Sequence, residues 1–142
     1  MGDISKNFSY KEFEKSDTAI RLGIDNKIPE NLIKKNIKSL VENVLQPLRD
    51  SWKHPLFINS GYRCMKLNQA VGGVPTSQHV MGQAADVACS DPYELAKRIK
   101  KLGLVYDQIG LYPTFVHISH RTDGTNRCNI FYASSWKGKR DL

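Results

Sequence analysis

The stretch Ser77-Gln78-His79-Val80-Met81-Gly82-Gln83-Ala84-Ala85-Asp86 restricts the folds open to this chain more than any other part of it. An imidazole and a carboxylate stand seven residues apart there. Both are ligand types that zinc accepts at neutral pH, and a catalytic zinc site needs three protein ligands with the fourth position left open. On a regular helix that separation would set His79 and Asp86 two turns apart, roughly 10 Å along the axis. Ligands each about 2.0–2.2 Å from one ion cannot lie so far apart, so the chain must bend between them. Gly82 permits the bend, because glycine enters positive-φ conformations without a Cβ penalty. Ala84 to Ala88 then run on as a short strand on which Ala84, Asp86 and Ala88 share a face. A third candidate ligand follows in Val116-His117-Ile118-Ser119, where a ring without a partner would be costly to bury. His54, beside Pro55 in a loop, reads as a surface residue. His120 lies three residues past His117 and points to the opposite face of a regular strand.

The rest of the chain predicts an α+β fold, with N-terminal helices packed on a small, mostly antiparallel sheet. Ser9-Tyr10-Lys11-Glu12 has the form of a capping box. From Pro29 to about Ser51 the residues Leu32, Ile33, Ile37, Leu40, Val41, Val44, Leu45 and Leu48 form one helical stripe, so a long core-facing helix is expected. Pro47 near its end is a place for a bend. Leu56 to Asn59 is β-prone and runs into the turn Ser60-Gly61-Tyr62-Arg63, which sets Arg63 at a strand end. Residues 65 to 78 read as a loop with one helical turn near Lys66 to Ala70. Asp91, Pro92 and Glu94 open another helix, with Leu95, Ile99 and Leu102 as its buried face and Gly103 as its stop. Strands are expected at 108–111, 115–119 and 129–132, the first two as a hairpin. One domain over 1–142 suits the length, with helices over about 8–52, the sheet and metal site over about 56–132, and a polar, poorly anchored tail at 134–142.

Lys and Arg outnumber Asp and Glu by 21 to 14, and the net charge of +7 suits an anionic partner. No base-stacking aromatic array accompanies that charge, so no specific nucleic-acid partner is expected. The three cysteines lack CxxC spacing and read as free thiols. The N-terminus has no apolar signal core, and no run is long enough for membrane insertion.

Ser60-Gly61-Tyr62-Arg63, the Ser77-x-His79-x-x-Gly82-x-Ala84-x-Asp86 stretch and Val116-His117-Ile118-Ser119 together resemble the zinc D-Ala-D-Ala carboxypeptidases. They resemble as well the related phage and bacterial murein peptidases of the hedgehog/DD-peptidase fold, over about residues 5 to 120. The resemblance implies that His79, Asp86 and His117 hold one zinc ion, and that Arg63 meets the substrate carbonyl or carboxylate. It implies zinc-activated water attacking an amide of a peptidoglycan stem peptide at the bacterial cell wall. A single domain without a signal core also fits a lysin released by another protein or a domain on a phage-encoded or prophage-derived element, and a monomer is expected. Ser77, Gln78, Tyr62 and His120 would contact substrate or support the ligands, with Ser77 bonded to the Asp86 carboxylate. The chain departs from the pattern at the general base. Relatives carry Glu, Asp or His two or three residues before the last zinc histidine, where this chain has Thr114 and Phe115. Asp107 is then the first candidate base and His120 the second. A non-catalytic, zinc-containing wall-binding module of the same fold is the competing expectation.

Overall fold

The computed structural model describes residues 2–142. Two short helices, α1 (Tyr10–Glu14) and α2 (Asp17–Leu22), precede α3 (Leu32–Leu40), a π turn (Val41–Leu45) and α4 (Gln46–Trp52). Then come β1 (Phe57–Ser60), α5 (Met65–Ala70), β2 (Ala84–Ala88) and α6 (Pro92–Lys101). The chain closes with β3 (Gln108–Leu111), β4 (Phe115–Ser119) and β5 (Asn129–Tyr132). The strands form one sheet in the order β1-β2-β4-β3-β5. All pairings are antiparallel except that of the edge strand β5, which runs parallel to β3.

The apolar stripe does form a long helical rod, and Ile37, Leu40, Val41, Val44, Leu45 and Leu48 are almost wholly buried along it. It begins later than Pro29, at the Asn31 cap, whose side chain accepts from Ile33 N. It is also not one regular helix. Pro47 offers no amide and its ring crowds the carbonyl four residues back, so the preceding turn widens into i→i−5 bonding, with Gln46 N donating to Val41 O. The first helix likewise forms without its expected cap. Ser9 makes no side-chain cap bond, and Asp3 Oδ1 accepts from Tyr10 N instead. Asp91 does cap α6, accepting from Glu94 N at 3.2 Å, and Gly103 ends it at φ 67°. Leu102, however, is exposed rather than part of the buried face.

The sheet's two faces differ. Ala85, Val87, Ile109, Leu111, Val116 and Ile118 point to the helices and belong to the core, with α6 packed on β3 and β4. The alternate residues Asp86, Gly110 and His117 point the other way, and Asp86 directly opposes His117 across the β2–β4 ladder. Period-two alternation thus places ligand candidates on an open face while the same strands supply the core. Residues 134–142 are not loose. Trp136 is buried in the core, Leu142 N donates to the Tyr132 hydroxyl at 2.7 Å, and Tyr93 donates to Asp141 at 2.7 Å. The apolar indole outweighs the polar composition around it. The cysteines are all free.

Candidate metal centre

Ser77 to Gln83 is a compact turn rather than helix. Val80 N donates to Ser77 O, Met81 N to Gln78 O and Gly82 N to His79 O. Gly82 closes it at φ 71°, with Gln83 N returning to Gln78 O at 2.9 Å. The bend that the His79–Asp86 spacing requires is therefore present, and β2 begins two residues after Gly82. Each of His79, Asp86 and His117 offers a ligand atom, and these atoms lie within 4.8 Å of one another. His79 Nε2 is 3.3 Å and His117 Nδ1 3.0 Å from the same Asp86 oxygen, Oδ1. Burial pushes the Asp86 carboxyl up, but the hydrogen bonds from His117 and His79 outweigh it and hold the group well below the usual carboxylate range.

The donor set fits a cation. His79 Nδ1 lies 2.7 Å from the Gly61 carbonyl oxygen, which can only accept, so the ring proton is fixed on Nδ1. With Nδ1 engaged by Gly61, Nε2 is the nitrogen left to face Asp86, and it can serve a cation once it gives up any proton it shares with that carboxylate. Two imidazoles and one carboxylate match the ligand types of zinc.

Arg63 stands beside the cluster, its Nη2 3.8 Å from Asp86 Oδ2. Its Nε donates to Ser60 Oγ at 3.1 Å and its Nη1 to Asn68 Oδ1 at 3.0 Å, so the planar head is held on two sides. Burial pulls its pKa down, and the neighbouring Asp86 pulls it back up.

The remaining sequence-predicted residues are not in this cluster. Ser77 Oγ accepts from His79 N at 3.2 Å and is not bonded to Asp86, because it serves the turn itself. Tyr62 packs into the core, its backbone amide donating to Phe13 O at 2.7 Å. His120 is buried on the helix side, with Nδ1 2.6 Å from Val105 O and Nε2 3.1 Å from Ser39 Oγ, which leaves no ring nitrogen for a substrate. Asp107 is fully buried and its carboxylate is already occupied. Arg127 donates from Nε to Oδ1 at 3.0 Å and from Nη2 to Oδ2 at 2.7 Å, and Gln78 Nε2 donates to Oδ2 at 2.9 Å. The Arg127 guanidinium holds the Asp107 carboxyl down at about 2. So weak a base, with both oxygens bonded, argues against the proton-accepting role expected of it.

Three contributors were missed in the sequence: the Gly61 carbonyl, Asn68 and Arg127. Gly61 lies in a stretch singled out for Arg63, but nothing in a sequence says where a backbone carbonyl points.

Two imidazoles and a carboxylate aimed at one point, with a guanidinium steadied alongside, make a site of the metallopeptidase type. The sequence profile of the peptidase M15 family matches residues 6–119, and the chain belongs to that family of zinc peptidases. The match spans both sides of the turn and ends just past His117. No curated protein matches the chain.

Proposed function

We propose that this chain hydrolyses an amide bond in the peptide stems of peptidoglycan, as a D-Ala-D-Ala carboxypeptidase or a murein endopeptidase, with one zinc held by His79, Asp86 and His117. The convergence of those three ligand atoms within 4.8 Å carries the reading. Bound there, zinc supplies Lewis acidity toward the scissile carbonyl and lowers the pKa of a water toward about 7. Arg63 presents a fixed fork to the substrate's carbonyl or terminal carboxylate, the geometry in which guanidinium binds bidentately. Gly61 holds the His79 ring in its ligating tautomer. Asp107 ties Gln78, and with it the turn that carries His79, to the start of β3.

One cleft reaches Arg63 and another reaches Ala88. The first, about 350 Å³, is lined by Arg63, Ser60, Asn59 and Val71. The other, about 540 Å³, reaches Ala88, Phe57 and Thr114. The net charge of +7 favours the anionic wall as the place of action, and a monomer is sufficient for this site.

A second reading, a zinc-containing module that binds wall peptide without cleaving it, is favoured by one observation. Thr114 and Phe115 precede the last ligand, while Asp107 and His120 are both engaged elsewhere. Zinc-loaded protein incubated with a muramyl pentapeptide and with cross-linked muropeptides, with and without chelator, separates the readings by mass spectrometry. Release of the terminal D-Ala defines the carboxypeptidase, and cleavage within the cross-link the endopeptidase. Bound zinc without product leaves the module, and a purified chain that takes up no zinc overturns both.

A further inference from the structure

The sheet face that carries Asp86 and His117 also carries three aromatic rings to which the reading above gives no role. Gly110 opposes His117 in β4 and Phe131 in β5. Directly opposed residues share a face, so Tyr112, two residues past Gly110, and Phe115, two before His117, lie on that face as well. Tyr112 stacks on Phe115 with ring centroids 4.4 Å apart and planes 9° from parallel. Phe131 meets Tyr112 edge-on at 6.3 Å and lies 6.1 Å from the His117 ring. Phe131 reaches this place because Gly110 is bare, since a Cβ there would collide with the tip of the ring. Tyr112 N donates to Phe115 O at 3.1 Å, which fixes the backbone under the stacked pair.

Tyr112 shares the open face with Asp86 and His117 and is linked to the His117 ring through Phe131. No buried side-chain oxygen or nitrogen among the described residues lacks a partner, and none of those residues hydrogen-bonds this hydroxyl, so it is open to solvent. A ring held by two aromatic neighbours thus carries an unused donor on the face that bears Asp86 and His117.

We propose that Tyr112 is a catalytic residue whose hydroxyl donates a hydrogen bond to the oxygen of the scissile carbonyl as negative charge builds there, alongside Arg63. The proposal rests on the amide-hydrolase reading. Water oxygen bonds to the carbonyl carbon, and the C=O π pair moves onto the oxygen, where Tyr112 and Arg63 meet it. When that pair re-forms the carbonyl, the C–N bond breaks and its electrons leave with the nitrogen, which takes the proton lost by the water. Tyr112 keeps its own proton throughout. A phenol ordinarily titrates near 10, and here burial first and the Asp86 charge second raise it, against Arg63. A neutral donor adds hydrogen bonding to the developing oxyanion without a second cation beside the metal ligands.

The test is Tyr112→Phe, which keeps the stacked ring and removes only the hydroxyl. Expected are a fall in kcat on the order of 100-fold, with KM, zinc content and thermal midpoint unchanged. A phosphinate analogue of D-Ala-D-Ala, which mimics the charged oxygen, should bind the variant at least about tenfold more weakly, while free D-Ala binding stays the same. Wild-type kcat and phosphinate affinity in the variant overturn the proposal while leaving the stem-peptide reading intact. A wild-type chain that cleaves no stem peptide, yet binds the phosphinate in a Tyr112-dependent way, overturns that reading and the catalytic role together, and leaves Tyr112 a binding contact only. A wild-type chain that does neither overturns both.

Discussion

The Gly61 carbonyl oxygen lies 2.7 Å from His79 Nδ1, and this one contact fixes which nitrogen of the ring faces Asp86. Backbone from the β1–α5 turn thereby sets the tautomer of a candidate ligand on a different loop, an arrangement that sharpens metal affinity where such a ring binds metal. His79→Ala and Asp86→Ala are each expected to lower zinc affinity by at least about 100-fold, measured by calorimetric titration of the apo chain. Chelation should lower the melting temperature of the native chain and not that of the variants, because a ligand that binds only the folded state stabilises it. Equal zinc binding by native and variant chains would place the metal elsewhere.

Gly82→Ala should damage both stability and metal binding. The position has φ 71°, and a Cβ there would stand 2.7 Å from the Ile33 carbonyl oxygen and 3.0 Å from Ile37 Cγ1. Left-handed strain plus the clash should cost about 1–3 kcal/mol in chemical denaturation. Zinc affinity should fall with it, since the turn carries His79. A variant as stable as the native chain would show that the turn does not need this conformation.

Asp107→Asn separates a structural role from a catalytic one. The carboxyl is held at about 2 in the folded chain, below its ordinary 3.8. A depressed acid stabilises the fold above its unfolded value and loses that contribution as pH falls through the folded one, here between about pH 5 and 2, by roughly 2 kcal/mol. Denaturation at pH 7, 4 and 2.5 should show native stability falling with acid, and the Asn variant should lack this component. Turnover of the variant, still zinc-loaded, should stay within about tenfold of native. A loss of 100-fold or more would return Asp107 to the role of general base.

Arg63→Lys keeps the charge and loses the fork. A single ammonium cannot reproduce the bonds to Ser60 and Asn68 while presenting two parallel donors to a carbonyl or carboxylate. Stem-peptide kcat/KM should fall about 10- to 100-fold with zinc content unchanged, read from steady-state kinetics and metal analysis. An unchanged kcat/KM would remove Arg63 from substrate contact.

The strands were legible because each is a short β-prone run between turn residues, and the 108–111, 115–119 and 129–132 segments appear where the pattern put them. The convergence of His79, Asp86 and His117 was legible for a related reason: Gly82 and the alternation of Ala84, Asp86 and Ala88 are local facts. What could not be read depends on distant partners. His120 is bonded to Ser39, 81 residues away, and Asp107 is bonded to Arg127, so neither is free in the way its neighbours in sequence suggested. The burial of Trp136 and the widened turn before Pro47 likewise follow from packing and not from composition.

Because helices cover only one side of the sheet, every strand near the site is written in two interleaved scripts. In β2 and β4, Ala85, Val87, Val116 and Ile118 answer to the core, while Ala88 and Phe115 answer only to what lies on the open side. A library confined to outward positions such as Phe57, Ala88, Phe115 and Phe131 can therefore reshape the cleft floor at little cost to folding. A single-residue insertion in either strand would exchange the two scripts and destroy both.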